Sequence, residues 1–305
     1  MIKYVIKRLL LAVITVFAVA TITFFLMNMV PGGPFLSEKA ISPTAQAALE
    51  AKYGLDKPLH KQYMTYITDA LQGDFGDSLK QRGRSVSSII MTKFPVSARV
   101  GGFAILLSLL VGIPLGCLAA IHRGKALDSF ISVISTFGIA VPSFVICTLL
   151  MYFFGVNLQW LPTFGLTSWK HYIMPVISLS FYPTAYIMRL MRSSLLDVLG
   201  QDYMRTSRAK GLSRFISLFK HALRNAMLPV ITYIGPMTAY TLTGSFIVEK
   251  IFTIPGLGGE FIGSISSRDY TVIMGTTIFL ATLMVFMNVL VDIVYKLIDP
   301  RIKLR

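Results

Sequence analysis

The stretch Asp202-Tyr203-Met204-Arg205-Thr206-Ser207-Arg208-Ala209-Lys210-Gly211-Leu212, with its sequel His221-Ala222-Leu223-Arg224-Asn225-Ala226-Met227-Leu228-Pro229, is the most basic connection in a chain that is otherwise mostly apolar. It reads as one helix over 195–210, a stop at Gly211, and a second helix capped by Ser213. Glycine suits that stop because a left-handed residue after a helix carries no β-carbon penalty. The apolar face expected for the second helix is Ile216, Phe219 and Leu223 with Phe215, and Lys220 and Arg224 fall on its other side. A purely connecting loop of about 35 residues is rarely this organised. The stretch therefore presents a folded knob, suited either to anionic lipid or to a groove in a peripheral subunit.

The surrounding chain is a membrane sequence. Of its 305 residues 54% are hydrophobic and 14% charged, against about 25% charged in soluble domains. Crossing a bilayer takes about 20 mostly apolar residues. Six segments qualify: 9–30, 100–121, 129–154, 172–188, 226–248 and 271–291. The first follows Lys3, Lys7 and Arg8 like a secretion signal, but its apolar run is longer, and Pro31-Gly32-Gly33-Pro34 ends it without a small-residue cleavage site. It reads as an uncleaved span. The net charge of +15 reflects basic residues flanking spans, so no nucleic-acid partner is expected. Cys117 and Cys147 fall inside spans and read as small core residues.

Lysine and arginine distribution sets the orientation. The loop 189–225 carries eight, 122–128 carries two, and Lys296, Arg301, Lys303 and Arg305 follow the last span, whereas 155–171 has only Lys170 and 249–270 only Lys250 and Arg268. Both termini and the knob are thus expected in the cytoplasm, with 31–98 outside. In that outer segment Ser42-Pro43 opens a helix that stops near Gly54, and Pro58 opens a second with Leu59, Tyr63, Ile67 and Leu71 on one face and Gly73 after it. Ser85 caps a third, short helix leading to Pro95. The segment reads as a cap packed on the bundle, or as a contact surface for an external partner.

No Asp, Glu, Lys, Arg or His lies near the middle of any span. This weighs against an ion-coupled carrier, which usually places such groups at the midplane. No Gly-x-x-x-x-Gly-Lys-Ser/Thr phosphate loop occurs, so nucleotide energy would have to come from another chain. His60, His122, His171 and His221 are scattered without ligand spacing, which predicts no metal, and no catalytic constellation emerges, which predicts no enzyme. The spans do carry Pro114, Pro142, Pro175, Pro183, Pro229 and Pro236. Prolines in lipid fit kinked packing, or bends around a polar route that opens to alternate sides. Gly112 and Gly116 would allow close helix approach. By polarity, Ser135, Thr136, Ser178, Ser180, Thr232 and Thr241 are the candidates to line such a route.

The run 203–211 followed by Leu228-Pro229 resembles the cytoplasmic signature of type I ABC importer permeases, whose general pattern is Glu-Ala-Ala, three residues, glycine, and a distal Ile-x-Leu-Pro. Here Arg205-Thr206-Ser207 stand where Glu-Ala-Ala would be, and the distance from Gly211 to Pro229 is longer. Both departures are similar to the dipeptide/oligopeptide permease subfamily, with Ser207 in place of its usual alanine. Further matches lie in order along nearly the whole chain. They are Pro31-Gly32-Gly33-Pro34-Phe35, Tyr53-Gly54-Leu55-Asp56-Lys57-Pro58-Leu59, Gly73-Asp74-Phe75-Gly76, Phe94-Pro95-Val96-Ser97 and Val141-Pro142-Ser143-Phe144. Gly244-Ser245, Glu249, Pro255-Gly256-Leu257-Gly258, Arg268-Asp269-Tyr270, Val291-Asp292 and Asp299-Pro300-Arg301 complete the set, which looks most like the B-type oligopeptide permease subunit.

The resemblance implies an all-α, six-span permease fold of the bacterial inner membrane, with an extracytoplasmic helical insertion between spans 1 and 2. It implies span 1 and the outer segment in residues 1–95, a permease core in 96–297 and a cytoplasmic tail in 298–305. The implied partners are a second homologous permease, two cytoplasmic ATPases that use ATP and magnesium, and an external peptide-binding protein delivering oligopeptides; this chain would bind no cofactor itself. Tyr203, Arg205, Thr206, Ser207, Arg208, Ala209, Lys210 and Gly211 would form the coupling helix that meets the ATPases. Other cargoes on the same scaffold (dipeptides, nickel, glutathione or short sugars) and a stand-alone carrier or channel are the competing expectations.

Overall fold

The computed structural model describes residues 2–31, 33–35, 43–242 and 246–298. Among these there is no strand, only an isolated bridge between Asp77 and Ser85. In chain order the helices are α1 (Ile2–Met29), α2 (Pro43–Lys52), α3 (Leu59–Leu71), α4 (Val86–Ile121), α5 (Ala126–Ala140), α6 (Ser143–Leu150) with a π-helical continuation (Met151–Asn157), and α7 (Lys170–Leu199). Then come α8 (Asp202–Ala209), α9 (Arg214–Ile216) with a π-helical turn (Ser217–Ala222), α10 (Leu223–Leu242), α11 (Phe246–Ile251), α12 (Leu257–Ser267) and α13 (Tyr270–Ile298). Ser42, Gly244-Ser245 and Asp299-Pro300-Arg301, named above, lie outside the described residues.

Among the described residues three helices are long and apolar enough by themselves to cross a membrane: Ile6–Met29 within α1, all of α4, and Tyr270–Val291 within α13. The pair α5 and α6 with its continuation makes a fourth if it counts as one span, bent by 102°. The expected span 129–154 is therefore broken, at Val141-Pro142. Pro142 has no amide hydrogen to give and holds an extended backbone, ψ 143°. The spans expected at 172–188 and 226–248 fall on α7 and on α10 with α11, more polar helices; α7 and α10 each enclose two prolines. Val13, Phe17, Phe103, Leu110, Phe130 and Phe137 are exposed, which suits side chains facing lipid.

The chain divides into two compact units, 1–96 with 255–286, and 97–254 with 287–305. In the first, Val86, Ile89, Ile90, Leu257 and Val272 form a buried core with Phe75, Phe94 and Phe279 around it. Asp269 organises this unit. Its carboxylate accepts hydrogen bonds from the Leu79 amide (3.1 Å), the Thr271 hydroxyl (3.0 Å) and the Ser78 hydroxyl, and it lies 2% exposed. Arg268, left-handed at φ 58°, caps α12 and donates to the Pro31 carbonyl at 2.9 Å. The helices α2 and α3 form where expected, and Gly54 (φ 67°) and Gly73 (φ 80°) end them. The face of α3 differs from expectation at its ends. Leu59 and Leu71 are exposed, while Tyr63 and Tyr66 pack on Phe24 of α1 with ring centroids 5.3 and 6.2 Å away.

The expected third outer helix does not stop near Pro95. Ser85 does cap it, accepting from the Ser88 amide at 3.2 Å, but α4 runs on for 36 residues through Pro95 and Pro114. A proline inside a helix forfeits one backbone bond, and in a helix this long and apolar the remaining bonds carry the chain past it.

In the second unit α7 is central, packed on α5, α6 and α10. Ile187, Met191 and Leu195 of α7 meet Ala120, Met204, Ala222, Ala226, Val230 and Met237 in one buried cluster. Tyr186 and Tyr233 pack with ring centroids 4.3 Å apart. A β-carbon built on Gly112 would lie 2.9 Å from Ile187 Cγ2, and one on Gly116 2.6 Å from the Met188 carbonyl oxygen. Small residues here bring two helix backbones together, as they do generally in membranes.

Candidate functional site

The knob is built from the end of α7 to the start of α10. The helix expected over 195–210 is interrupted: α7 ends at Leu199, capped by Gly200, and α8 is a separate helix of eight residues. Gly200 and Gln201 bond back to the carbonyls of Leu196 (3.2 Å) and Val198 (3.1 Å), closing one helix before the other opens. Gly211 is left-handed as expected, φ 70°. The Leu212 amide reaches back to the Ser207 carbonyl (3.4 Å), the six-to-one bond of a Schellman termination. Ser213 caps the next helix as expected, its hydroxyl accepting from the Ile216 amide at 3.3 Å.

The buried face of the second helix is not the expected one. Phe215, Ile216 and Phe219 are exposed, and Ser217 and Ala222 are buried. The reason is the π-helical turn over Ser217–Ala222. An i→i+5 step there puts residues 217 and 222 on one side, and regular spacing then carries the buried line to Ala226 and Val230. A 3.6-residue reading across the same stretch selects the wrong side. The outer side holds Phe215 and Phe219 with ring centroids 4.4 Å apart, beside exposed Leu212 and Lys220.

The helix α8 is fastened by Met204, 1% exposed, and by Ser207, whose hydroxyl pairs with that of Ser217 at 2.8 Å. Asn225 donates to the Tyr203 phenol at 2.8 Å, tying α8 to α10. The other side of α8 is exposed. Arg205 is 78% exposed and makes a loose 3.5 Å contact with Asp202, and Thr206, Ala209 and Lys210 are exposed. Arg208 lies on α8, but its side chain is outside the described set. The knob is thus a helix seated by Met204, Ser207 and Tyr203, with exposed basic side chains and an exposed aromatic pair on the segment after it.

The six route candidates are spread over three helices, and each hydroxyl bonds a carbonyl of its own helix. Ser135 and Thr136 both donate to Ser132 (3.1 and 2.9 Å), Ser178 to Met174 (2.8 Å), Ser180 to Ile177 (3.0 Å), Thr232 to Leu228 (3.0 Å) and Thr241 to Met237 (2.7 Å). Ser135, Ser178, Ser180 and Thr241 are buried, whereas Thr136 and Thr232 are exposed. Ser135 and Thr136 share a cavity of about 210 Å³ with Arg189 and Arg192.

Beside it lies a feature that periodicity did not show. Asp128, 5% exposed, takes a two-pronged grip on Arg192, with Nε to Oδ1 at 2.5 Å and Nη2 to Oδ2 at 2.8 Å. The Gly124 amide also donates to Asp128 at 2.9 Å. An aspartate in the first turn of α5 was the available signal, but its partner lies 64 positions away. Among the described residues no group of three or more histidine, cysteine or acidic side chains is placed to hold a metal.

Comparison with known proteins identifies the family. The binding-protein-dependent transport system inner membrane component family matches residues 112–304, and the family for the N-terminal part of the membrane component of such systems matches 1–101. The dipeptide transport system permease protein DppB of Bacillus subtilis is 46% identical over 304 residues, covering 100% of this chain and 99% of that protein. The oligopeptide transport system permease protein OppB of Haemophilus influenzae is 42% identical over 305 residues, covering 99% and 100%. Among solved structures, an inward-facing form of the MetNI methionine ABC transporter aligns with a TM-score of 0.58 at 17% identity, over 69% of this chain and 96% of that one, a likeness of fold alone. The chain therefore belongs to the inner-membrane components of binding-protein-dependent transport systems: it is a multi-pass ABC importer permease of the type I fold.

Proposed function

We propose that this permease imports short peptides, forms half of a translocation pathway with a second homologous subunit, and is driven by two cytoplasmic ATPases that grip α8. An external binding protein delivers the peptide. The observation that carries this reading is that Arg205 and Lys210 of α8 and the Phe215–Phe219 pair of the following segment all stand exposed while Met204 and Ser207 anchor α8 from behind. Exposed aromatic and basic side chains on one short segment fit a partner groove that offers apolar and acidic groups. The loop's eight lysines and arginines favour a cytoplasmic position for it and for both termini. ATP and magnesium belong to the ATPases in this reading, and the permease holds no cofactor.

The cargo follows from relatives that carry both dipeptide and oligopeptide names. Oligopeptides are the reading we prefer. Selectivity then resides mainly in the binding protein, because the route candidates offer hydroxyls already bonded to their own helices. Exchanging the binding protein while keeping this permease is expected to change the set of peptides taken up; an unchanged set would refute that division of labour.

Force transmission depends on Gly211. A β-branched residue at φ 70° is strained whatever the space around it, and a left-handed conformation costs an ordinary residue about 1–2 kcal/mol. Gly211→Val is expected to lower peptide uptake at least about tenfold at equal membrane abundance, with ATP hydrolysis no longer stimulated by loaded binding protein. Uptake at the normal rate would overturn the assignment of α8 as the coupling helix.

A further inference from the structure

A groove of about 770 Å³ runs between α4 and the start of α7, wholly within the second unit. The two helices lie side by side and point the same way, since Phe103 meets Tyr172, Gly112 meets Ile187 and Gly116 meets Met188. The groove therefore changes character along one axis. At its head stand Arg99 of α4 and Thr167, Ser168 and Trp169 of the chain leading into α7. Phe103 and Tyr172 come next, edge to face with ring centroids 5.7 Å apart. Below them the walls are Leu106, Leu107 and Leu110 of α4 with Ile173 and Val176 of α7. No acidic side chain occurs among the described lining residues, and Lys170, exposed, follows Trp169 directly.

The polar head also keeps a hydrogen to give. The Ser168 amide donates to His171 Nδ1 at 3.2 Å, so in the neutral ring that nitrogen is the acceptor and the proton sits on Nε2. Nε2 then donates to the Thr167 hydroxyl oxygen at 3.3 Å, which leaves the hydroxyl's own hydrogen available to a ligand. From Arg99 to Leu110 α4 advances about 16 Å at about 1.5 Å per residue. One leaflet of a hydrocarbon slab about 30 Å thick is close to that depth. Trp169 is 71% exposed at the head, the level at which tryptophan and tyrosine settle in a bilayer.

A cationic, hydrogen-donating head above an apolar trough one leaflet deep has the shape and polarity of a single lipid. We infer that this groove is a binding site for an anionic phospholipid. Its phosphate sits at Arg99 and the Thr167 hydroxyl, and one acyl chain lies along Leu106, Leu107 and Leu110. The lipid enters from the bilayer, so the exposure of Phe103, Leu106 and Leu110 (52%, 52% and 64%) is what such a site requires. Charge selects the headgroup: a zwitterionic one would set a second cation beside Arg99 with no acidic side chain to receive it. The bound chain would fill the space between α4 and α7 on the side away from their close contact at Gly112 and Gly116.

The chain has two tryptophans, Trp160 and Trp169, so Trp160→Phe leaves a single fluorophore at the head of the groove. The test places this full-length chain in phosphatidylcholine vesicles and titrates in lipid brominated close to the glycerol end of its acyl chains. Brominated phosphatidylglycerol should quench Trp169 with an apparent affinity about tenfold above that of brominated phosphatidylcholine with the same chains, the worth of one charge-assisted contact. Arg99→Gln should bring that ratio close to one, and Thr167→Val should lower it about fivefold. Glycerol phosphate in millimolar excess should leave the quenching unchanged. Equal quenching by both lipids before any change at Arg99 would mean ordinary boundary lipid and would overturn the proposal. A ratio untouched by both substitutions would do the same. Relief of quenching by glycerol phosphate would assign the head to a free phosphate ester instead, and no quenching by either lipid would mean that protein, such as a second copy of this chain, covers the groove; each refutes the lipid site. The comparison of the two headgroups keeps Arg99 and Thr167 in place, so a misfolded variant cannot decide the outcome. No ATPase or cargo is involved, and the result is independent of the uptake reading.

Discussion

Gly116→Leu is expected to be the most destructive single change in the second unit, lowering the midpoint of thermal unfolding in mild detergent by about 10 °C. A β-carbon at this position would lie 2.6 Å from the Met188 carbonyl oxygen and 2.7 Å from Met191 Cβ. The first of these is backbone, so no rotamer change relieves it. Met188 and Met191 are 4% and 0% exposed, and Ile187 beside them is fully buried. Accommodating a leucine means prising α4 from α7. Overpacking a tight core costs about 1–3 kcal/mol and sometimes more. In lipid the loss is felt directly, because packing, not exclusion of water, holds helices together there. A loss of about 3 kcal/mol corresponds to roughly 10 °C in a protein of this size. The control is Gly102→Leu on the same helix, where an added β-carbon meets nothing within 4 Å. It should leave the midpoint nearly unchanged, and equal damage from both would refute the close approach as the cause.

Asp128→Ala should be the next most damaging. It removes both prongs of the grip on Arg192 and orphans the Gly124 amide. Breaking a fully buried pair costs about 3–5 kcal/mol. Arg192 is about one-third exposed and can turn toward water, which reduces the expected cost to about 2 kcal/mol. The reading is tested by a double-mutant cycle. Asp128→Ala with Arg192→Ala should cost clearly less than the sum of the two single changes, measured as loss of the monodisperse peak after heating. Additive losses would mean that the two side chains do not act as a pair.

The parts of the fold that were legible in the sequence are those governed by local chemistry. The apolar runs that place α1, α4 and α13, the glycines that end α2, α3 and α8, and the serine caps at Ser85 and Ser213 all follow from a few neighbouring residues. What escaped the reading depends on long-range packing or on irregular helix. Pro95 looked like a stop and is absorbed within α4, whereas Pro142 looked like a kink and bends its span past a right angle. Gly200 divides a stretch whose pattern reads as one helix, because the buried side of α8 is set by Met204 and Ser207 meeting the later helix. A π-helical turn inverted the face of the segment after Ser213, leaving Phe215 and Phe219 outside. No periodic pattern announces an i→i+5 step. The Asp128–Arg192 grip was invisible for a related reason, since nothing local ties residue 128 to residue 192.

The bend at Val141-Pro142 also bears on the bilayer itself. Each arm has 15 residues, which at about 1.5 Å per residue reaches roughly 22 Å. Neither arm alone matches a hydrocarbon slab about 30 Å thick. A straight helix answers a thicker or thinner membrane by tilting, but a jointed one answers by changing its angle at the joint. As one span, this jointed pair is expected to take up a change in acyl-chain length at the two residues between its arms.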